Sequence, residues 1–325
     1  MAGRIAAGRG LIGDIGATNA RFAIVDARGG GAVTGARILA CSDYARIEDA
    51  IAEYLAEERL AAPPREAALA VAAPIDGDAV ALTNHPWSFT ISGLQRLLGL
   101  ERLIVVNDFA ATALAVPELA ESERHAVGGG AAVRAAPIGV LGPGTGLGIG
   151  GLVWTGSGWR ALAGEGGHAT MPAADARESA VLEHMRRRFD HVSAERVLSG
   201  QGLVNLYNTL AELAGVPAAP FTPAQIADAS VGESDPLARE ALAMFCAMLG
   251  TVAGDLALTL GARGGIYVAG GIVPRLGQRF ADSAFRRRFE AKGRLSPYLA
   301  AIPTYVVTHP IPAFLGLARL LARSG

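Results

Sequence analysis

Lysine is nearly absent from this 325-residue chain, since Lys292 is the single lysine among 29 lysine and arginine residues. A mechanism that needs a phosphate-loop or Schiff-base lysine elsewhere in the chain is therefore excluded.

Cysteine is also scarce. Cys41 and Cys246 lie far apart in the sequence, which argues against a disulfide scaffold and against a cysteine-rich zinc site. No sign of charge dominates, because the net charge is −1, and a nucleic-acid partner would require a basic excess.

Long apolar runs are few. The first sixteen residues are interrupted by arginines and glycines, so they offer no apolar core typical of a signal peptide. The longest apolar run, residues 241–260, is long enough to span a membrane, but it contains Asp255 and has many small residues and no flanking basic clusters. We therefore predict a buried helix there, no membrane contact and a cytoplasmic location.

The composition indicates a folded chain of two domains. Hydrophobic residues make up 51% and charged residues 18%, which excludes a disordered chain, and the length allows two separate cores. Apolar stretches in the first third predict the order βββαβαβ, typical of a mixed sheet with helices packed on it. A similar pattern restarts near residue 137. We predict two β-hairpins with glycine turns, at Gly16 and Gly144, one in each half, which suggests a distant internal duplication.

Periodicity and breakers predict the main helices. The first is expected at 43–60, with Ser42 or Asp43 as its N-cap. Further predictions are helices at 178–189, 195–214, 236–260 and 312–323, and late strands at 264–269 and 304–309.

The second glycine turn, residues 142–148, is the densest in glycine and includes Thr145. A turn without side chains lets backbone N–H groups approach phosphate oxygens. Gly146, Gly148 and Gly151 satisfy G-x-G-x-x-G, but a strand follows where a dinucleotide site needs a helix. A tight hairpin without a ligand is an equally good interpretation of this pattern alone.

The first turn carries an acidic residue, Asp14, with Thr18 and Asn19 close behind it. A carboxylate beside a phosphate-binding turn suits Mg²⁺, which prefers one or two carboxylates plus waters and phosphate oxygens. The alternative is an ordinary turn in which Asp and Asn bond their own backbone.

Asn107 and Asp108 end the apolar strand LIVV. A carboxylate at a strand end can accept a proton from a hydroxyl group. Asp108 could equally be the N-cap of a helix that starts at Phe109, and both roles are compatible.

Glu165 and His168 lie in a glycine-rich loop, and their spacing allows a metal pair, although no third ligand is evident. The loop better fits an acceptor and a donor for a polyhydroxylated ligand. Glu195 can extend this set, or it can be a first-turn helix glutamate that complements the helix dipole.

These segments resemble the bacterial ATP-dependent glucokinases of the hexokinase/actin-like superfamily, specifically the group common in proteobacteria. The resemblance covers essentially the whole chain. Seven segments in family order carry it: GDIGATNAR (13–21), LTNHPWSF (82–89), NDFAATALAVPEL (107–119), GPGTGLG (142–148), GEGGH (164–168), SAERVLSGQGLVNLY (193–207) and AGGIVPR (269–275).

The resemblance implies an α/β fold with two ribonuclease-H-like (actin/hexokinase-type) domains around a cleft. The smaller α/β domain would comprise residues 1–118 plus 310–325, and the larger α+β domain residues 119–309. The implied reaction is Mg²⁺- and ATP-dependent phosphorylation of D-glucose at the 6-hydroxyl, the first step of glycolysis. The implied partners are glucose, ATP and a second copy in a homodimer. No structural zinc is expected, because the cysteine-rich motif of the related repressor/kinase family is missing.

The resemblance also implies residue roles. Asp108 would be the base on the 6-hydroxyl. The sugar hydroxyls would be held by Asn107, Asp108, Glu165, His168 and Glu195. Phosphate or ATP would be bound by Gly13, Asp14, Ile15, Gly16, Ala17 and Thr18, by Gly142, Gly144, Thr145 and Gly146, and by Gly270 and Gly271, with Asp14 acting indirectly on Mg²⁺.

One departure from the family is Ala17, where glycine is common, and its methyl group is expected to narrow the approach to phosphate. Two rival functions use the same fold: a non-catalytic sugar sensor and a kinase for another small molecule such as acetate or glycerol. The absence of a basic DNA-binding extension and the presence of Asp108 argue against the sensor. The implied sugar-binding set argues against the other kinases.

Overall fold

The computed structural model describes residues 8–26, 32–162, 164–230 and 235–322. Within that part, the chain divides into two compact units. The described residues of Met1–Leu119 and of His309–Gly325 form the first unit, and those of Ala120–Thr308 form the second.

The secondary structure is numbered in chain order. The strands are β1 (Arg9–Ile15), β2 (Asn19–Asp26), β3 (Thr34–Ala40), β4 (Glu66–Val71), β5 (Ala79–Ala81), β6 (Ser88–Thr90), β7 (Arg102–Asn107), β8 (Arg124–Ala126), β9 (Ile138–Pro143), β10 (Leu147–Trp154), β11 (Trp159–Leu162), β12 (Ile266–Val268) and β13 (Thr304–Val307). The helices are α1 (Ile47–Glu57), α2 (Ile91–Leu97), α3 (Asp108–Ala115), α4 (Ala176–Met185), α5 (Gly200–Ala214), α6 (Pro223–Ala229), α7 (Pro236–Leu260), α8 (Val273–Leu276), α9 (Gln278–Ala281), α10 (Phe285–Glu290), α11 (Ser296–Ala300) and α12 (Pro312–Ala322).

The first unit is built on a five-stranded mixed sheet in the order β3-β2-β1-β4-β7. β1 pairs antiparallel with β2, as the predicted hairpin requires, and parallel with β4, which pairs parallel with β7. Successive residues of β1 point to opposite faces, so Leu11 and Ile12 enter different cores. The core on the Leu11 side includes Ile51 and Tyr54 of α1. The other core includes residues of α3 and α12.

The second unit repeats this sheet with different residues. Its order is β11-β10-β9-β12-β13-β8. β9 pairs antiparallel with β10 and parallel with β12, and β13 continues parallel to β12. Three antiparallel strands followed by two parallel strands therefore occur in both units, in agreement with the restart predicted from the sequence. β8 adds an antiparallel edge strand in the second unit.

Helix α7 is the central helix of the second unit. Among the described residues, it is the one helix long and apolar enough to cross a membrane, but 72% of its most apolar window is buried inside the unit. The predicted buried helix is therefore confirmed. Gly250 and Gly254 let α10 approach closely, because an added Cβ at either position would strike the backbone near Phe285 or Phe289.

The single lysine also lies against α7. Lys292 Nζ donates to Asp255 Oδ1 and, at 3.1 Å, to the carbonyl of Thr251. Its side chain is only 14% exposed.

Three predicted helix starts are wrong. Helix α1 begins at Ile47, because Cys41–Asp43 forms a separate 3₁₀ turn, and its N-cap, Arg46, makes no side-chain cap. Helix α4 spans Ala176–Met185 rather than 178–189, and Asp175 caps it. Helix α5 begins at Gly200 rather than at residue 195.

Candidate active site

The first set of predicted site residues lies at the carboxyl edge of the first sheet. Ile15, Val71 and Asn107 are in register across the parallel strands β1, β4 and β7. The turn Gly16–Thr18 and the pair Asn107–Asp108 therefore leave the sheet at the same edge. Ligands of open α/β sheets bind at this kind of edge.

Asp14 lies in β1 directly opposite Arg21 of β2. Its Oδ2 accepts a hydrogen bond from Arg21 Nη1 at 3.0 Å, and its side chain is 16% exposed. Burial raises the pKa of the Asp14 carboxyl above its ordinary value of 3.8, and the Arg21 guanidinium acts in the opposite direction. The alternative of an ordinary turn aspartate is therefore wrong, because Asp14 is a strand residue paired across the hairpin.

The first turn is held from outside by Cys41. The N–H of Gly16 donates to the carbonyl of Asn19 at 3.0 Å, which closes the turn. The N–H of Cys41 donates to the carbonyl of Thr18 at 2.9 Å, and its thiol donates to the carbonyl of Gly16 at 3.4 Å. Ala17 is half-buried and Thr18 is exposed, so the far side of the turn faces solvent.

Gly13 and Ile15, which the resemblance assigns to the same turn, lie inside β1 and are buried. A Cβ at Gly13 would come within 2.7 Å of Leu69 Cδ2 and 2.9 Å of Phe22 Cδ1. The glycine at position 13 is therefore required by packing within the sheet.

Asn107 is the N-cap of α3. Its Oδ1 accepts the N–H groups of Phe109 at 2.9 Å and Ala110 at 3.3 Å, and its Nδ2 donates to the carbonyl of Ala73 at 3.3 Å. Asp108 is instead the first residue of α3, and its Oδ1 accepts the N–H of Phe109 at 2.8 Å. The cap alternative for Asp108 is therefore wrong.

The second set of site residues begins at the carboxyl edge of the second sheet, where β9 and β12 end side by side. The N–H of Gly144 donates to the carbonyl of Gly146 at 2.8 Å. Gly270 has φ +85°, and a Cβ there would strike the carbonyl of Pro143, so the Gly270–Gly271 loop lies directly against the second turn. Gly142 lies within β9, and Thr145 is exposed at the tip of the turn.

The loop that carries Glu165 and His168 also adjoins this hairpin. The loop follows β11, and Glu165 makes a bridge to Ile149 of β10. Gly167 has no room for a Cβ, which would strike the carbonyl of Leu147. The side chains of Glu165 and His168 are 57% and 61% exposed, and their nearest oxygen and nitrogen atoms are 4.0 Å apart. Both side chains are therefore open to a ligand.

Glu195 precedes α5 instead of beginning it. Its N–H donates to the carbonyl of Gly167 at 2.9 Å, which ties it to the loop of Glu165 and His168. Its Oε2 accepts the N–H of Leu147 at 2.9 Å. The alternative of a first-turn helix glutamate is therefore wrong, because Ser199 is the helix N-cap and bonds the N–H of Gly202 at 3.0 Å.

The structure thus assembles the predicted residues in two groups, one in each unit. The first group contains Asp14, Gly16, Ala17, Thr18, Asn107 and Asp108, and the second contains Gly144, Thr145, Gly146, Glu165, His168, Glu195, Gly270 and Gly271.

Sequence reasoning missed Arg21 and Cys41. Arg21 lies opposite Asp14 in the register of the hairpin, so the segment GDIGATNAR could have predicted this ion pair. Cys41 had no such signal, because its contact with Gly16 joins residues 25 positions apart.

Comparison with solved structures shows the class of protein. The structure of a glucokinase from an Antarctic psychrotroph is similar, with a TM-score of 0.88 and 36% sequence identity over 97% of this chain and 99% of that one. A glucokinase of the ROK family from Streptomyces griseus, solved with glucose and AMPPNP, shares the fold, with a TM-score of 0.66 and 19% identity over 98% and 100% of the two chains. The predicted two-domain α/β fold of the actin/hexokinase-type sugar kinases is therefore confirmed.

Sequence comparison narrows the class. The glucokinase family model matches residues 11–324. The glucokinase of Paramagnetospirillum magneticum is 53% identical over 312 residues, which cover 96% of this chain and 97% of the relative. The chain belongs to the glucokinase family, as the seven segments predicted.

Proposed function

We propose that the chain is a glucokinase that transfers the γ-phosphoryl group of ATP to the 6-hydroxyl of D-glucose. Family membership supports the reaction type, and the observation that carries the assignment of the base is the position of Asp108. It begins α3 at the carboxyl edge of the first sheet, while the neighbouring Asn107 provides the helix cap.

The chemical step requires little covalent chemistry from the protein. The oxygen of the 6-hydroxyl attacks the γ-phosphorus while Asp108 accepts the hydroxyl proton. The bond between the γ-phosphorus and the bridging oxygen breaks, and ADP leaves with that oxygen. Alignment and charge neutralisation supply most of the acceleration in such transfers.

The sugar-binding proposal uses side chains that differ in hydrogen-bonding capacity. Glu165 and Glu195 are acceptors for ring hydroxyls, and His168 is a donor or an acceptor according to its tautomer. Asn107 Oδ1 already accepts two N–H groups and its Nδ2 donates once, so we propose that it contacts the sugar through the second N–H of Nδ2 or after a change of partner. A set of several directed polar groups is what discriminates one hexose from another.

For the nucleotide, we propose that Gly16–Thr18 and Gly144–Gly146 hold the phosphates and that Gly270 and Gly271 lie on the adenosine side. The open space beyond Gly144 and Gly271, where an added Cβ would meet no atom within 4 Å, supports close approach of a ligand. The methyl group of Ala17 is the one departure from the family pattern at the first turn.

The donor set fits an indirect magnesium site. The described residues contain no group of three or more His, Cys, Asp or Glu side chains that could hold a metal ion by themselves. Asp14 is a single carboxylate with Oδ2 already bonded to Arg21, which suits Mg²⁺ held mainly by phosphate oxygens and water. When bound, Mg²⁺ would neutralise charge on the phosphates, and Asp14 would hold its water shell. A cytoplasmic location and a homodimer also remain proposals.

A coupled assay with a panel of sugars and donors tests the proposal. Purified protein is given glucose, mannose, fructose, galactose or 2-deoxyglucose with ATP or polyphosphate. Glucose with ATP should have the highest kcat/KM. Each missing or misplaced hydroxyl should reduce it about tenfold or more, because an unpaired buried polar group costs about 1–3 kcal/mol. Equal efficiency for glucose, galactose and 2-deoxyglucose would contradict a specific sugar site.

A further inference from the structure

Glu195 contacts the second phosphate turn directly. Its Oε2 accepts the N–H of Leu147, the residue that follows the turn, at 2.9 Å. A Cβ added to Gly146 would strike the same oxygen, so the carboxylate lies against the turn itself. A side chain that we propose as a sugar ligand therefore also supports the backbone that carries Thr145.

The backbone after Glu195 makes a second connection to the same turn. The N–H of Gly200 donates to the carbonyl of Gly144 at 2.9 Å, and the hydroxyl of Ser199 donates to the carbonyl of Glu195 at 2.8 Å. The segment Glu195–Gly200 thus begins at the Glu165–His168 loop, through the bond from Glu195 to Gly167, and ends at the turn.

We infer that Glu195 is a positioning residue for the second phosphate turn as well as a sugar ligand, so that it couples sugar binding to nucleotide binding. This inference rests on the proposed function and extends it. A carboxylate has two oxygens and about four acceptor sites, so Oε2 can hold the turn while Oε1 receives a sugar hydroxyl.

The coupling has a physical basis in side-chain order. Glu195 is half-buried, and a sugar hydroxyl bonded to Oε1 removes rotational freedom from the whole carboxylate. The turn is then held before the nucleotide arrives, and less entropy is lost when the nucleotide binds. By linkage, nucleotide must strengthen sugar binding by the same factor.

Calorimetric titration of the full chain with ADP, with and without saturating glucose, tests the inference. In Glu195→Ala the turn must be ordered when ADP binds, so the ADP dissociation constant measured without sugar should rise by up to about tenfold, a cost bounded by the worth of the lost hydrogen bond. The effect of glucose on ADP binding should also disappear. In Glu195→Gln the side-chain oxygen still accepts the N–H of Leu147, so ADP affinity should stay within about twofold while glucose binds more weakly.

Glu165→Gln is the matched control, because it alters a proposed sugar ligand that has no bond to the turn. It should weaken glucose and leave the ADP dissociation constant without sugar unchanged. Glu195→Asp provides a second test if the alanine variant does not fold, because the shorter side chain withdraws the acceptor from Leu147 and should weaken ADP binding as well.

Two outcomes overturn the inference: folded Glu195→Ala and Glu195→Asp proteins that bind ADP as tightly as the wild type, or a Glu165→Gln protein that loses as much ADP affinity as they do. Failure of the proposed function gives a different result. In that case the wild-type protein itself would phosphorylate no glucose in the coupled assay, whatever the variants do.

Discussion

The two glycine turns occupy equivalent places in two sheets that share a five-strand order. They differ in the origin of the carboxylate that lies beside each turn. The first turn has a carboxylate within its own hairpin, because Asp14 of β1 faces Arg21 of β2. At the second turn, Gly142 of β9 faces Gly148 of β10, and the carboxylate comes from outside the hairpin, from Glu195.

The means of holding the turns differ in the same way. The first is held by the backbone and thiol of Cys41, and the second by the Glu195 carboxylate and the backbone of Gly200. The shared strand order therefore places a glycine turn in each sheet, while the side chains decide where the carboxylate beside each turn comes from. The function of each turn is therefore argued from these side chains and not from the strand order.

The largest effect should come from Asp108→Asn. The variant keeps the shape and the acceptor for the N–H of Phe109 but removes basicity, so kcat should fall by about 10²–10⁴ while glucose still binds in part. Steady-state kinetics with glucose and ATP measure this, with the exposed Asp190→Asn as the control. Turnover close to that of the wild type would leave Asp108 as a positioning residue only, and the first unit would lose its catalytic role.

A smaller effect, on stability, should separate Gly270, which lies against the second turn, from Gly16 of the first turn. Gly270→Ala places a methyl group against the carbonyl of Pro143 at φ +85°, so the free energy of unfolding should fall by about 2–6 kcal/mol, the sum of overpacking and backbone strain. Gly16→Ala is the matched control, since its Cβ would meet the carbonyl of Asn19 at an ordinary 3.5 Å. Thermal unfolding of the two variants compares them. Equal losses would mean that Gly270 is no more crowded than Gly16.

The smallest effect concerns the buried charge of the first hairpin. The pKa of Asp14 is raised in the folded state, so the folded chain binds a proton more tightly than the unfolded chain. Stability should therefore decrease as pH rises from the ordinary value of 3.8 through the raised pKa, and Asp14→Asn should lack this contribution.

Melting temperatures of the wild type and Asp14→Asn, measured from about pH 4.5 to about pH 7, test this, because the linkage fixes the sign of the change. The melting temperature of the wild type should fall relative to that of the variant as pH rises. A difference that stays constant across this range, or that changes in the opposite direction, would show that Arg21 fully offsets the burial.

Much of the fold follows from local pattern. The β1–β2 hairpin and the 25-residue helix α7 were predicted because alternation and a long apolar run are properties of the segment itself. The restarting strand pattern and the two glycine turns predict the repeated sheet, and the five-strand order that both sheets share confirms it.

The wrong predictions concern segments whose structure depends on contacts with residues far away in the sequence. The segment Glu195–Leu198 has helical composition, but the bond from Glu195 to Gly167 holds it outside α5, and the cap passes to Ser199. Likewise Ser42 and Asp43 are good caps by type, yet the bond from Cys41 to Thr18 fixes a short turn there. No local pattern encodes either contact.

The place of Lys292 has a practical consequence for chemical labelling. Its amine is the one side-chain amine of the chain, and it is bonded to Asp255 and to the carbonyl of Thr251 with little exposure. Acylating reagents need an accessible amine, and this amine is hydrogen-bonded and little exposed. Amine-directed dyes, cross-linkers and resins should therefore react poorly with the side chains of this protein, and attachment to a surface calls for an introduced lysine or cysteine.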